Sequence, residues 1–112
     1  MTAAFPKRGE VYWVKLDPAI GSETKKTRPA LIVSNDIGNE VSARVIVAPL
    51  TSQVEKIYPF ETAIKMEHIR NKVMLDQIRV IDKRRLGNRI TQLTDLEMTQ
   101  VNHALKLVLG LD

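Results

Sequence analysis

The 112-residue sequence contains no cysteine, which removes both a disulfide framework and a thiolate-held metal from consideration. Two histidines, His68 and His103, are too few for a histidine-rich metal cluster. No apolar run approaches the roughly 20 residues that span a bilayer as a helix, and Met1 to Lys7 lacks the apolar centre of a signal peptide. The expectation is a cytoplasmic chain with no membrane contact, no metal and no cofactor. Three catalytic signatures are missing too: the Gly-x-Ser-x-Gly elbow, the Gly-x-x-x-x-Gly-Lys phosphate loop and the His-Glu-x-x-His helix. No repeat, low-complexity tract or linker divides the chain, so residues 1–112 are expected to form one domain.

What is present is ordinary in bulk and uneven in placement. A hydrophobic content of 44% and a charged content of 27% suit a globular domain with one core. The formal charge of +4 points mildly toward an anionic partner, although a plain solvated surface carries as much. Placement matters more. Lys25, Lys26 and Arg28 cluster early, whereas Lys83, Arg84, Arg85 and Arg89 cluster late. A binding face results only if the fold unites the two groups.

Hydrophobic periodicity sets out the elements. Glu10 to Leu16 alternates as a strand, with Tyr12, Val14 and Leu16 on one face, and Asp17-Pro18 ends it. Burial tendencies assign Trp13 to the core, with base stacking by Trp13 or Tyr12 as the functional alternative. Residues 28–34 form a second strand, and 35–39, dense in turn formers, a loop. Arg44 to Leu50 is a third strand, and Val45-Ile46-Val47-Ala48 reads as buried on both faces. Pro49 ends it or places it at an edge. Phe60, Thr62 and Ile64 mark a fourth strand, and Lys65 to Lys72 is a polar insertion, helical or irregular.

Apolar residues then fall at odd positions, Val73 and Leu75, before switching to even ones, Ile78 and Val80. A strand has a side-chain period of two, so a phase switch demands a bulge or break, here at Asp76-Gln77. Arg89 to Leu93 adds a short strand. Thr94-Asp95-Leu96-Glu97 fits a capping box, and Leu96, Val101, Leu105 and Val108 continue as a helical stripe broadened by Met98 and Leu109. Gly110 stops the helix. His103 lies off that stripe and His68 in the polar insertion, so both are expected at the surface. Short strands closed by one amphipathic helix predict a mainly β fold, a small barrel with the helix packed on it.

The polar residues left over are Glu23, Arg28, Thr51, Ser52, Gln53, Asp76 and Gln77. Pro29 biases Arg28 toward extended geometry, which holds the guanidinium at a strand entrance. Thr51 would leave a strand where Arg28 enters one, and in antiparallel neighbours those ends lie side by side. On spacing alone, Thr51-Ser52-Gln53 is better read as a polar turn after a buried strand.

An ordered set of motifs carries more. Arg8-Gly9-Glu10-Val11-Tyr12-Trp13-Val14, Leu16-Asp17-Pro18, Gly21-Ser22-Glu23, Thr27-Arg28-Pro29 and Asn35-Asp36 resemble the MazF/PemK toxins of bacterial toxin–antitoxin pairs. Val47-Ala48-Pro49-Leu50-Thr51-Ser52, Asp76-Gln77-Ile78-Arg79, Ile81-Asp82 and the closing helix extend the resemblance from Lys7 nearly to the end. It implies an SH3-like barrel of the MazF/PemK/CcdB type, a homodimer, and a metal-independent, sequence-selective endoribonuclease. By the same resemblance Arg28 and Thr51 are the catalytic pair. Glu23 borders the RNA groove in a loop, and Ser52, Gln53, Asp76, Gln77 and Arg79 line it. Some members carry an arginine two residues before the acidic position. Met74 stands there in this chain, which favours the Arg28/Thr51 version of the site.

Such an enzyme would let the ribose 2′-hydroxyl attack the adjacent phosphorus, leaving a 2′,3′-cyclic phosphate and a 5′-hydroxyl. Arg28 suits charge stabilisation, because its planar fork matches phosphate oxygens. A guanidinium, with a pKa above about 12, is a poor proton source at neutral pH. Glu23 is left as the candidate base and the acid is open, while Asp76 suits reading of a base edge. The expected substrate is single-stranded RNA, whose bases and 2′-hydroxyl are accessible. The expected protein partner is a cognate antitoxin with a flexible acidic tail. The rivals are a non-catalytic gyrase-inhibiting toxin of the same fold and a nucleic-acid-binding SH3-like module.

Overall fold

The computed structural model describes residues 4–16 and 27–112. Glu23, Lys25, Lys26 and the Asp17-Pro18 strand end lie outside the described residues. Among the described residues, seven strands form one antiparallel sheet: β1 (Glu10–Lys15), β2 (Thr27–Ile32), β3 (Arg44–Thr51), β4 (Glu61–Met66), β5 (Ile69–Met74), β6 (Arg79–Asp82) and β7 (Leu86–Gln92). Their order is β4-β5-β3-β2-β1-β7, with β6 also on β3. Helix α1 (Asp36–Val41) joins β2 to β3, and helix α2 (Asp95–Leu109) follows β7. The sheet curls into a half-barrel with α2 as its cover, the mainly β fold expected from the periodicity.

β3 is the hub. On one edge it pairs with β2 from Ala30↔Pro49 to Ile32↔Val47. On the other it meets β6 over Arg44–Val47 and then β5 at Leu50↔Val73 and Thr51↔Lys72. β5 and β6 thus follow one another along a single edge, and the chain turns between them in a 3-10 turn, Leu75–Gln77. That corner is the phase switch at Asp76-Gln77. Pro49 sits inside β3 and is buried, neither an end nor an exposed edge. Its missing N–H is harmless because β3 changes partners there, from β6 to β5.

Side-chain alternation along the curled strands builds two clusters. Val11, Leu31, Ala48, Leu50, Val73 and Leu75 pack beneath Val101 and Ala104 of α2. Val14, Ala30, Ile32, Val45, Val47 and Ile81 fill the opposite concavity. Two-sided burial of 45–48 is not observed throughout, because Ile46 and its partner Val80 are exposed where neither cluster nor helix reaches. Leu96 is exposed as well, about 140° around the helix from Val101 at 100° per residue. Leu109, placed in the same stripe, is also exposed.

The capping box is complete: Thr94 Oγ1 accepts from Glu97 N at 3.1 Å and Glu97 Oε1 from Thr94 N at 2.9 Å. Gly110 closes α2 at φ 71°, and Leu111 N donates to Lys106 O at 2.8 Å.

Two local expectations are corrected. Residues 36–41 are helical, because Asn35 caps Gly38 N at 2.9 Å and the buried Asn39 donates to Ser34 O at 2.8 Å. The polar insertion is the β4–β5 hairpin, turned by Glu67 and His68 at φ 52° and 68°. Two successive positive φ values normally call for Asn or Gly, so Glu-His gave no turn signal. His68 and His103 are exposed, as expected. Among the described residues, no helix is long and apolar enough to cross a membrane.

Candidate active site

Where β2 enters and β3 leaves the sheet, the curl opens a cleft of about 830 Å³. Its β1–β2 wall carries Trp13, Arg28 and Pro29, and Leu50 to Gln53 form the exit of β3. Asn71, Lys72 and Met74 of β5 face them, with Gln77 and Arg79 completing the lining after the corner.

Arg28 is half-buried, opposite Val14 of β1, and Pro29 sits opposite Trp13. Pro29 fixes the backbone as extended at the point where the guanidinium must be held. The β2–β3 ladder runs from Ile32↔Val47 to Ala30↔Pro49, and Arg28 and Thr51 lie just beyond that end of it. The two side chains therefore line one cleft from adjacent strands. Among the described residues, the ion pairs are Lys72–Glu61, Arg84–Asp82 and Arg89–Glu10, none of which engages Arg28. Thr51 Oγ1 accepts from Gln53 N at 3.2 Å. That bond occupies a lone pair and leaves the hydroxyl proton for donation elsewhere.

Ser52 and Gln53 stand exposed at the rim. Gln77 lines the cleft, its Nε2 against Met74 Sδ at 3.4 Å. Asp76 does not line it and is exposed. Consecutive residues of a 3-10 turn project about 120° apart, so one corner sends Gln77 in and Asp76 out. Arg79 lies inside, opposite Val47.

The late basic group lies between β6 and β7 and within β7. Val14 pairs with Arg28 on one side and with Leu86 on the other. Leu86 is therefore roughly 10 Å from Arg28 across two strand spacings, and the 3-10 turn Lys83–Arg85 that precedes it starts beside β3, where Lys83 N donates to Ala43 O at 2.9 Å. Arg84 is committed to Asp82 at 3.0 Å, and its hydrogen bond and charge hold the Asp82 carboxyl below its ordinary range. Arg85 Nη1 donates to Lys15 O at 3.3 Å. Arg89 is tied to Glu10 at 2.7 Å.

Trp13 overturns its assignment to the core, since it is 42% exposed and forms part of the cleft wall. Val11, in the same phase, lies under α2; two residues on, the curl has carried Trp13 past that cover. The phase shared with Lys15 was the available signal. Asn71 and Lys72 were missed because the insertion that hid them had no recognisable turn. Both are buried, and Lys72 Nζ reaches Glu61 Oε1 at 2.9 Å.

A curled β sheet with one covering helix and an open cleft lined by cations, amides and an indole defines a small β protein with a basic cleft. The family model of PemK-like, MazF-like toxins of type II toxin–antitoxin systems matches residues 7–109. Endoribonuclease EndoA of Bacillus subtilis (strain 168) is 41% identical over 111 residues, which cover 94% of this chain and 95% of that protein. Endoribonuclease MazF of Staphylococcus saprophyticus is 40% identical, covering 94% and 92%. The chain belongs to the PemK/MazF family of type II toxins.

Solved structures agree in fold. A MazF from Deinococcus radiodurans has a TM-score of 0.80 at 27% identity, covering 97% of this chain and 100% of its own. A mycobacterial endoribonuclease solved in complex with its cognate antitoxin has a TM-score of 0.79 at 30% identity, covering 96% and 97%.

Proposed function

We propose that residues 1–112 act as a single-domain, metal-independent endoribonuclease that cuts single-stranded RNA in the cytoplasm. The active species in this reading is a homodimer, restrained by a cognate antitoxin whose flexible acidic tail covers the basic cleft. One observation carries the proposal: Arg28 and Thr51, from adjacent strands, line one cleft in a chain whose relatives EndoA and MazF are endoribonucleases.

The reaction needs negative charge stabilised on the phosphoryl oxygens as the 2′-oxygen attacks and the P–O5′ bond breaks. Arg28 places a permanent cation there. Thr51 donates its free proton to the same phosphate. Trp13 offers a face for a flanking base, while Ser52, Gln53, Gln77 and Arg79 contact RNA along the walls. Asp76, outside the lining, reaches only a nucleotide beyond the cleft. The 2′-hydroxyl proton passes to a base, for which Glu23 is the candidate, and the 5′-oxygen takes up a proton as it leaves.

Incubation of purified protein with a long RNA in EDTA, followed by mapping of cut sites and ends, tests this reading. Site-specific cuts with 5′-hydroxyl and 2′,3′-cyclic phosphate ends are expected. Arg28→Ala should lose at least about 100-fold in rate while remaining folded, the scale of one lost oxyanion donor. Thr51→Val should lose about 10- to 100-fold, the scale of one hydrogen bond to a charged group. Intact RNA under these conditions, or near-normal cutting by Arg28→Ala, would overturn the assignment.

A further inference from the structure

Lys72 is a buried ammonium to which the cleavage chemistry assigns no part. It is 8% exposed and lies opposite Thr51 in the β3–β5 ladder. Its Nζ donates to Glu61 Oε1 at 2.9 Å and to Lys56 O at 2.7 Å, and sits 5.6 Å from the centre of the Tyr58 ring. Glu61 Oε1 also accepts from Tyr58 N at 2.8 Å, and Glu61 N donates to Tyr58 O at 2.9 Å. Tyr58 stacks on Phe60 at 5.5 Å and 6°. All of these partners belong to the segment joining β3 to β4 or to the first residue of β4.

We propose that Lys72 is a positioning residue: its ammonium, clasped by Glu61, the Lys56 carbonyl and the Tyr58 ring, locks residues 52–60 against β5 and so sets which bases the cleft rim accepts. The inference rests on reading the cleft as the RNA site and deepens that reading toward specificity.

The physical argument lies in what else holds the segment. It has no sheet ladder, and residues 52–57 are exposed apart from the half-buried Val54. Such a segment has little apolar burial with which to fix one conformation. A desolvated ammonium supplies the missing determinant, because it accepts only arrangements that return its lost hydrogen bonds. Here those bonds come from the segment itself, at Lys56 and through Glu61 at Tyr58. Ser52 and Gln53 lie at the near end of the same segment and line the cleft. An apolar residue at position 72 would pack equally well with the segment in several places.

The test compares wild type, Lys72→Met and Lys72→Arg in the full chain by hydrogen exchange over 52–60 and by mapping cut sites on a long RNA. For Lys72→Met, at least tenfold faster exchange confined to 52–60 is expected, with a broadened set of cut sites. On the preferred sequence KM should rise about tenfold and kcat should change less. Lys72→Arg should restore much of the protection and selectivity. Should Lys72→Met fail to fold, Glu61→Gln, which keeps an acceptor for Tyr58 N–H, is expected to show the same changes in weaker form.

Unchanged exchange, or faster exchange with an unchanged cut pattern, overturns the proposal. Failure of wild type to cut RNA at all would instead refute the nuclease reading. The hydrogen-exchange comparison would then still decide the clasp.

Discussion

Tyr12 and Trp13 are sequence neighbours on one strand and meet opposite environments. Trp13 faces the cleft, whereas Tyr12 packs against Val14 and its neighbours in the second cluster. The Tyr12 hydroxyl donates to Glu10 Oε1 at 3.0 Å, and Glu10 also receives Lys7 N and Arg89 Nε, each at 2.7 Å. Burial first, then the bond to Glu10, pushes the Tyr12 pKa from 10.0 up to about 12. Between those values the unfolded chain releases a proton that the folded chain retains. The contribution of Tyr12 to stability is therefore complete below about pH 10 and is lost as pH rises toward 12. Urea unfolding at pH 8 and pH 11.5 should show this loss in the wild type and a shallower one in Tyr12→Phe. Equal losses would remove Tyr12 as the cause. No pattern of spacing indicated this triad, because Arg89 reaches Glu10 across the β1–β7 register.

At the scale of elements, α2 was the most legible part of the chain and β5 the least. A helix announces itself locally: Thr94 and Glu97 sit three apart, Gly110 follows the last turn, and both ends behave accordingly. The prediction that belongs here is Thr94→Ala. It removes the cap to Glu97 N and should destabilise the protein by about 1 kcal/mol, read as a lower urea midpoint with an unchanged m value. A change in m would mean instead that α2 undocks before the sheet unfolds. Strand β5 hid for a different reason. Its hairpin forces positive φ on Glu67 and His68, and the strand buries a polar residue on each face, Asn71 on one and Lys72 on the other, where burial predicts hydrocarbon. Their partners, Ile69 O within the strand and Glu61 on β4, make that burial tolerable, and pairing is what periodicity does not record. α1 was hidden by its own capping residues, since Asn35 and Asp36 favour turns and helix starts alike.

At the scale of the whole molecule, cations distant in sequence are brought closer together. Arg28 and Arg79 line one cleft, and Leu86, which follows the Lys83–Arg85 turn, lies two strands from Arg28 across β1. If three of these cations meet phosphates, single-strand binding should follow a log–log salt slope of about −2, and affinity should fall roughly 20-fold between about 50 and 200 mM salt. Fluorescence anisotropy with an RNA blocked by a 2′-deoxy group at the cut site measures it. A slope near zero would mean that binding rests on stacking at Trp13, not on the cationic face. Lys25 and Lys26, outside the described residues, would steepen the slope if they contribute.

The sequence by itself determined the mainly β class, the capped C-terminal helix, the break at Asp76-Gln77 and the family. Each is written in local spacing or in motifs that keep their order. Arg28 and Thr51 were singled out by the family motifs, since spacing alone left them an ordinary strand start and a polar turn. Only the tertiary structure decided that Trp13 faces solvent, that Gln77 enters the cleft while Asp76 leaves it, and that a lysine is buried at position 72. These outcomes depend on where the sheet curls beyond its helical cover and on which groups meet across strands. Both are long-range consequences of packing that no window of sequence contains.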